Sequence, residues 1–137
     1  MPSAERALCD TGPLVALFST GQYARAECEQ ALTYLRGILV TTFPVLTEAF
    51  YFLDRPSEQR LLWDFVMSGA VRVAEVGLIA VVRMRRLMEK YSDLPMDFAD
   101  ASLVAVGEEL NLRKVFTLDH HFRIYRPRHT PAFELFP

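Results

Sequence analysis

Short apolar runs recur along this chain and are separated by longer stretches with helical periodicity, an alternation that restricts the fold more than any other feature. Ala7–Cys9, Ile38–Thr41, Val71–Val76 and Lys114–Leu118 read as strands. Ala132–Phe136, held between Pro131 and Pro137, reads as an edge strand. Between them, Tyr23–Leu35 places Ala24, Cys28, Ala31, Leu32 and Leu35 at helical spacing, with Gly37 as the stop. Pro44 opens a helix through Phe52, Asp54–Pro56 interrupts it, and Glu58–Met67 reads as another. Leu78–Tyr91 and Asp97–Leu110 are two further helices, parted by a loop that Pro95 closes.

Strands that alternate with helices predict an α/β fold in three layers, with a mainly parallel central sheet covered on both faces. Right-handed crossovers then bring the C-terminal end of every strand to one edge, where open α/β folds bind ligands. At 137 residues, 51% of them hydrophobic, the chain fits one domain spanning 1–137.

Five acids stand at the points this topology brings together. Asp10 and Asp119 follow strands, Glu48 lies early in the helix after Ile38–Thr41, and Asp97 and Asp100 open the helix that leads into Lys114–Leu118. Each has an ordinary explanation. Asp10 can cap the helical turn that Thr11-Gly12-Pro13 begins, and Asp97 after Pro95 is a natural N-cap with Asp100 completing a capping box. Glu48 reads singly as a solvated helix residue and Asp119 as a turn former. Only their joint placement outweighs these readings. Converged carboxylates repel one another, so a fold that gathers them raises some of their pKa values or neutralises them with a hard divalent cation.

Other features bound the partners. A net charge of −2 argues against a uniformly basic surface for nucleic acid, although 15 Lys and Arg remain for local patches. Cys9 and Cys28 are not spaced as a metal knuckle and read as reduced structural thiols. Met1–Glu5 and Arg6 are mostly polar and no stretch approaches membrane-spanning length, which predicts a cytoplasmic protein. A phospho-receiver is disfavoured because Gly12 stands two residues after Asp10 and no Lys-Pro pair follows a late strand. Dinucleotide binding is discarded, since no Gly-x-Gly-x-x-Gly turn follows the first strand.

On these residues the chain resembles the PIN-domain family, and within it the VapC-like toxin ribonucleases of toxin–antitoxin modules. The matching stretches are Leu8-Cys9-Asp10-Thr11-Gly12-Pro13-Leu14, Leu46-Thr47-Glu48-Ala49, Leu94-Pro95-Met96-Asp97-Phe98-Ala99-Asp100-Ala101 and Phe116-Thr117-Leu118-Asp119. The resemblance implies Asp10, Glu48, Asp100 and Asp119 as catalytic metal ligands or their close support. It places Asp97 as a cap or an outer ligand through water, and Thr11 and Thr117 as supporting hydroxyls. His120-His121 departs from the family pattern, and neither is expected to be a ligand.

The implied activity is Mg²⁺- or Mn²⁺-dependent hydrolysis of RNA phosphodiester bonds, with no protein nucleophile. The different-class alternative is an inactive PIN-like module that binds RNA or protein. Arg83, Arg86, Arg123, Arg126 and Arg128 are candidates for RNA backbone contacts. The resemblance also implies a small antitoxin partner. Phe50, Tyr51, Phe52, Trp63 and Phe65 read first as core residues, and because they span two adjacent helices and exceed what one small core hides, a homodimer interface is the secondary reading.

Overall fold

The computed structural model describes residues 5–21 and 24–137. Its elements run β1 (Glu5–Cys9), α1 (Thr11–Phe18), α2 (Arg25–Tyr34), β2 (Gly37–Thr41), α3 (Phe43–Phe52), α4 (Pro56–Met67), β3 (Val71–Val73), α5 (Leu78–Lys90), α6 (Phe98–Leu110), β4 (Lys114–Phe116) and β5 (Glu134–Phe136). Tyr23, the expected first residue of the second helix, lies outside the described residues. The sheet has the order β3-β2-β1-β4-β5, and every pairing in it is parallel.

Strand order explains the layering. The steps from β1 to β2 and β2 to β3 move the same way across the sheet, so right-handed crossovers put α1–α4 on one face. The step from β3 back to β4 reverses direction and puts α5 and α6 on the other. Accordingly α1 packs against α2, α3 and α4, and α5 packs against α6. The reversal falls between β1 and β4, the place where this architecture opens a crevice at its C-terminal edge.

The core runs along the middle strands and α6. Leu8, Leu39, Val115, Phe116, Leu103 and Val104 are all buried. In α6 every residue from Ala99 to Gly107 is buried, so the helix lies inside the protein, and the two polar side chains in that stretch, Asp100 and Ser102, are both hydrogen-bonded. Gly107 lets it approach the sheet closely, because a Cβ there would lie 2.8 Å from Leu8 Cδ1.

Several expected boundaries shift for physical reasons. The helical turn after Asp10 is a helix of 8 residues, since Pro13 sits in its first turn, where no amide partner is needed. Gly37 does not stop a helix; it begins β2 opposite Glu5, and a Cβ would come 1.7 Å from the Glu5 carbonyl oxygen. Val71–Val76 forms a strand only to Val73, because its one partner, β2, ends at Thr41 opposite Val73. Lys114–Leu118 stops at Phe116, where Thr117 turns its hydroxyl into the site described next.

Candidate active site

Parallel pairing of β1 with β4, in which Cys9 lies opposite Phe116, carries the chain directly into the acidic crevice. The Asp10 amide donates to the Phe116 carbonyl at 2.9 Å, so the residue after β1 stays locked to β4. Its carboxylate makes no capping bond to α1. Instead it is buried, and Oδ2 accepts a hydrogen bond of 2.7 Å from Thr117 Oγ1. The same hydroxyl oxygen accepts from the Asp119 amide at 2.9 Å, so one threonine ties two acids together. Asp119 in turn accepts from the His121 amide at 2.9 Å through Oδ1 and starts a 3₁₀ turn, His120–Arg123.

The N-terminus of α6 supplies two more acids with different roles. Asp97 is the exposed N-cap, with Oδ1 accepting the Asp100 amide at 2.8 Å. Asp100 is buried and points inward, with Oδ2 accepting from the Tyr125 phenol at 3.2 Å. Carboxylate oxygens of Asp10, Asp100 and Asp119 all lie within 4.8 Å of one another.

Glu48 stands beside this trio. It occupies the second turn of α3, half-buried, and Oε1 accepts 2.9 Å from Thr11 Oγ1. The Asp97 carboxylate is its neighbour and raises its pKa, after burial, which is the larger cause. A buried bond of 2.7 Å between the Thr42 and Ser102 hydroxyls clamps the start of α3 to α6 and thereby brings Glu48 to Asp97. Both expected supporting hydroxyls, Thr11 and Thr117, therefore touch the acids.

Burial dominates the electrostatics. It raises Asp10 from its ordinary 3.8 to about 6, partly offset by the Thr117 hydroxyl and reinforced by Asp119. Asp100 rises to about 8, first through burial and then through the charges of Asp10 and Asp97. Three carboxylates this close cannot all ionise cheaply without a counter-charge. Every donor of the trio is a carboxylate oxygen, the set a hard divalent cation prefers, so the residues present fit such an ion.

The neighbouring groups divide clearly. His120 is exposed, and His121 lies alongside Asp119 with Nδ1 3.4 Å from Oδ1. Arg83, expected to face RNA, is instead held by Glu108 of α6 through two hydrogen bonds of 2.8 and 2.9 Å, and is only 16% exposed. Arg86, Arg123, Arg126 and Arg128 are exposed, with the Arg126 guanidinium folded back onto the Arg123 and Tyr125 carbonyls.

Sequence reasoning missed Tyr125, Thr42 and Ser102. Their partners lie 25 and 60 residues away, and no local spacing announces those contacts. A groove of about 620 Å³ at the other end of the strands is lined by Glu5, Lys114 and Glu134, the first residues of β1, β4 and β5, and includes none of the five acids. Among the described residues no helix is long and apolar enough to cross a membrane.

The PIN domain family model matches residues 7–126, a span that runs from β1 past Asp119 and ends just after Tyr125. The chain is 26% identical over 135 residues to ribonuclease VapC26 of Mycobacterium tuberculosis, covering 95% of this chain and 99% of that protein. The crystal structure of VapC20 from the same organism, a sarcin-ricin loop cleaving toxin, superposes with a TM-score of 0.79 at 18% identity. That likeness covers 92% of this chain and 99% of VapC20 and is one of fold. With the family model matching most of its length and its acids gathered at the expected sheet edge, the chain belongs to the PIN-domain family.

Proposed function

We propose that this protein is a Mg²⁺- or Mn²⁺-dependent endoribonuclease and the toxin of a toxin–antitoxin pair. The observation that carries the reading is the convergence of Asp10, Asp100 and Asp119 within 4.8 Å at the C-terminal edge of the sheet. Its likeness to ribonuclease VapC26 supports RNA as the substrate class, and its likeness to VapC20, which cleaves the sarcin-ricin loop, points to a structured RNA loop.

In this reading Asp10, Asp100 and Asp119 hold the cation, and Glu48, kept in place by Thr11, completes the acidic wall. Asp97 caps α6 and lies in the outer part of the site. A divalent cation held by these carboxylates would supply activation of a water for in-line attack on phosphorus and neutralisation of charge on the departing oxygen. Thr117 keeps Asp10 and Asp119 in register. Arg86, Arg123, Arg126 and Arg128 are the exposed cations that meet RNA phosphates around an acidic centre that repels them.

The partners follow from the same surfaces. A small antitoxin that lays a helix or extended segment over the cleft, with an Arg reaching the carboxylates, blocks the cation. Tyr51, Phe52 and Trp63 are 79%, 58% and 56% exposed across α3 and α4, a patch suited to a homodimer in solution.

The test is cleavage of structured RNA with Mg²⁺ or Mn²⁺, with chelator, and with Asp100→Asn. Cleavage that needs the metal and is abolished by the substitution is the expected result. Cleavage that persists in Asp100→Asn rejects this site, and no cleavage by the unaltered protein favours a binding module.

A further inference from the structure

We propose that Tyr125 is a positioning residue of the acidic centre, its buried phenol holding the Asp100 carboxylate in the orientation that binds a divalent cation. The inference rests on the metal-dependent reading above and adds a residue that supports one of its ligands. Tyr125 has no exposed surface, and its hydroxyl donates to Asp100 Oδ2 at 3.2 Å. The competing donor to that oxygen, the Asp97 amide, is longer at 3.4 Å.

Packing fixes the phenol. The Tyr125 ring lies 5.1 Å from that of Tyr91 and 5.2 Å edge-on to that of Phe122, both centroid to centroid. The backbone secures it as well, since the Tyr125 amide donates to the His121 carbonyl at 3.2 Å in the turn that Asp119 begins. One short segment thus opens with one acid and closes with a side chain that grips another. Phenylalanine fills the same space, so the hydroxyl is not required for packing. Burying it is favourable only because it has an acceptor, and that acceptor is one of the converged carboxylates. Hydrogen bonds behind a ligand fix its orientation and commonly govern metal affinity.

The experiment is calorimetric titration of the full chain with Mn²⁺, without RNA, for the unaltered protein, Tyr125→Phe and Tyr91→Phe. The last is the control, because the Tyr91 hydroxyl accepts the Arg126 amide at 2.8 Å in the same aromatic cluster without touching an acid. Tyr125→Phe weakens Mn²⁺ binding about tenfold or more, and Tyr91→Phe leaves it within about twofold. Unaltered binding in Tyr125→Phe overturns the inference while the metal-dependent reading stands, and so does an equal loss in both variants. No binding by the unaltered protein overturns both.

A second measurement needs no variant to fold. The protected Tyr125 hydroxyl proton, observed by NMR in the unaltered protein, shifts on Mg²⁺ titration at the midpoint of cation binding. A resonance that does not move overturns the inference.

Discussion

Asp10 and Asp97 begin helices from nearly the same backbone conformation, with φ and ψ of −86° and 171° for the first and −89° and 176° for the second. From sequence both are N-caps. Asp97 is one, exposed and bonded to the Asp100 amide at 2.8 Å. Asp10 is not, because β4 runs alongside it and offers the Thr117 hydroxyl at 2.7 Å, inside a crevice already holding two other acids. Capping is a local property and convergence a non-local one. The same side chain at the same local position becomes a helix cap or a member of the acidic cluster according to which strand passes beside it.

Substitution at the two positions breaks this contrast most directly. Asp10→Asn keeps an acceptor for Thr117 and removes the charge, and RNA cleavage should fall by at least about a hundredfold through loss of cation stabilisation. Asp97→Asn should leave cleavage within a few-fold. Equal losses in a side-by-side cleavage assay would show that Asp97 is a direct ligand and that burial does not separate the two.

The next largest effect is on stability against pH without metal. Asp10 and Asp100 titrate at about 6 and about 8 in the fold, above an ordinary 3.8. A carboxyl raised on folding favours the native state in its protonated form. That contribution is full below about pH 4 and is lost as pH rises through the folded values. Asp10 alone accounts for on the order of 3 kcal/mol of that decline at about 1.4 kcal/mol per pKa unit. Urea unfolding between pH 4 and 8 should show the decline in chelator, and Mn²⁺ should reverse it at the upper end by binding the native state. A flat profile in chelator would mean that neither burial nor the neighbouring charges raise these acids on folding.

These expectations divide as the legibility of the sequence does. Alternating apolar runs gave the layered sheet because each strand and helix writes its own periodicity. The acids were legible because topology alone brings strand ends to one edge, and the family resemblance selected among them. What escaped depends on pairs distant in sequence. Arg83 reads as a basic helix face until Glu108, 25 residues on, captures it. Gly37 reads as a helix stop until the Glu5 carbonyl excludes any side chain there. Tyr125 reads as one aromatic among many until the turn after Asp119 folds it onto Asp100.

The smallest effect is also the sharpest on the structural side of the contrast. Asparagine caps helices about as well as aspartate, whereas alanine cannot accept the Asp100 amide and costs about 1 kcal/mol. Asp97→Asn should therefore unfold at nearly the same urea concentration as the unaltered protein, and Asp97→Ala at a lower one. Because the cap also positions the first turn of α6, Asp97→Ala should loosen Asp100 and cut cleavage more than Asp97→Asn does. If both variants lose activity to the same extent while only alanine loses stability, the Asp97 charge itself acts on the reaction, and its role extends beyond holding the helix.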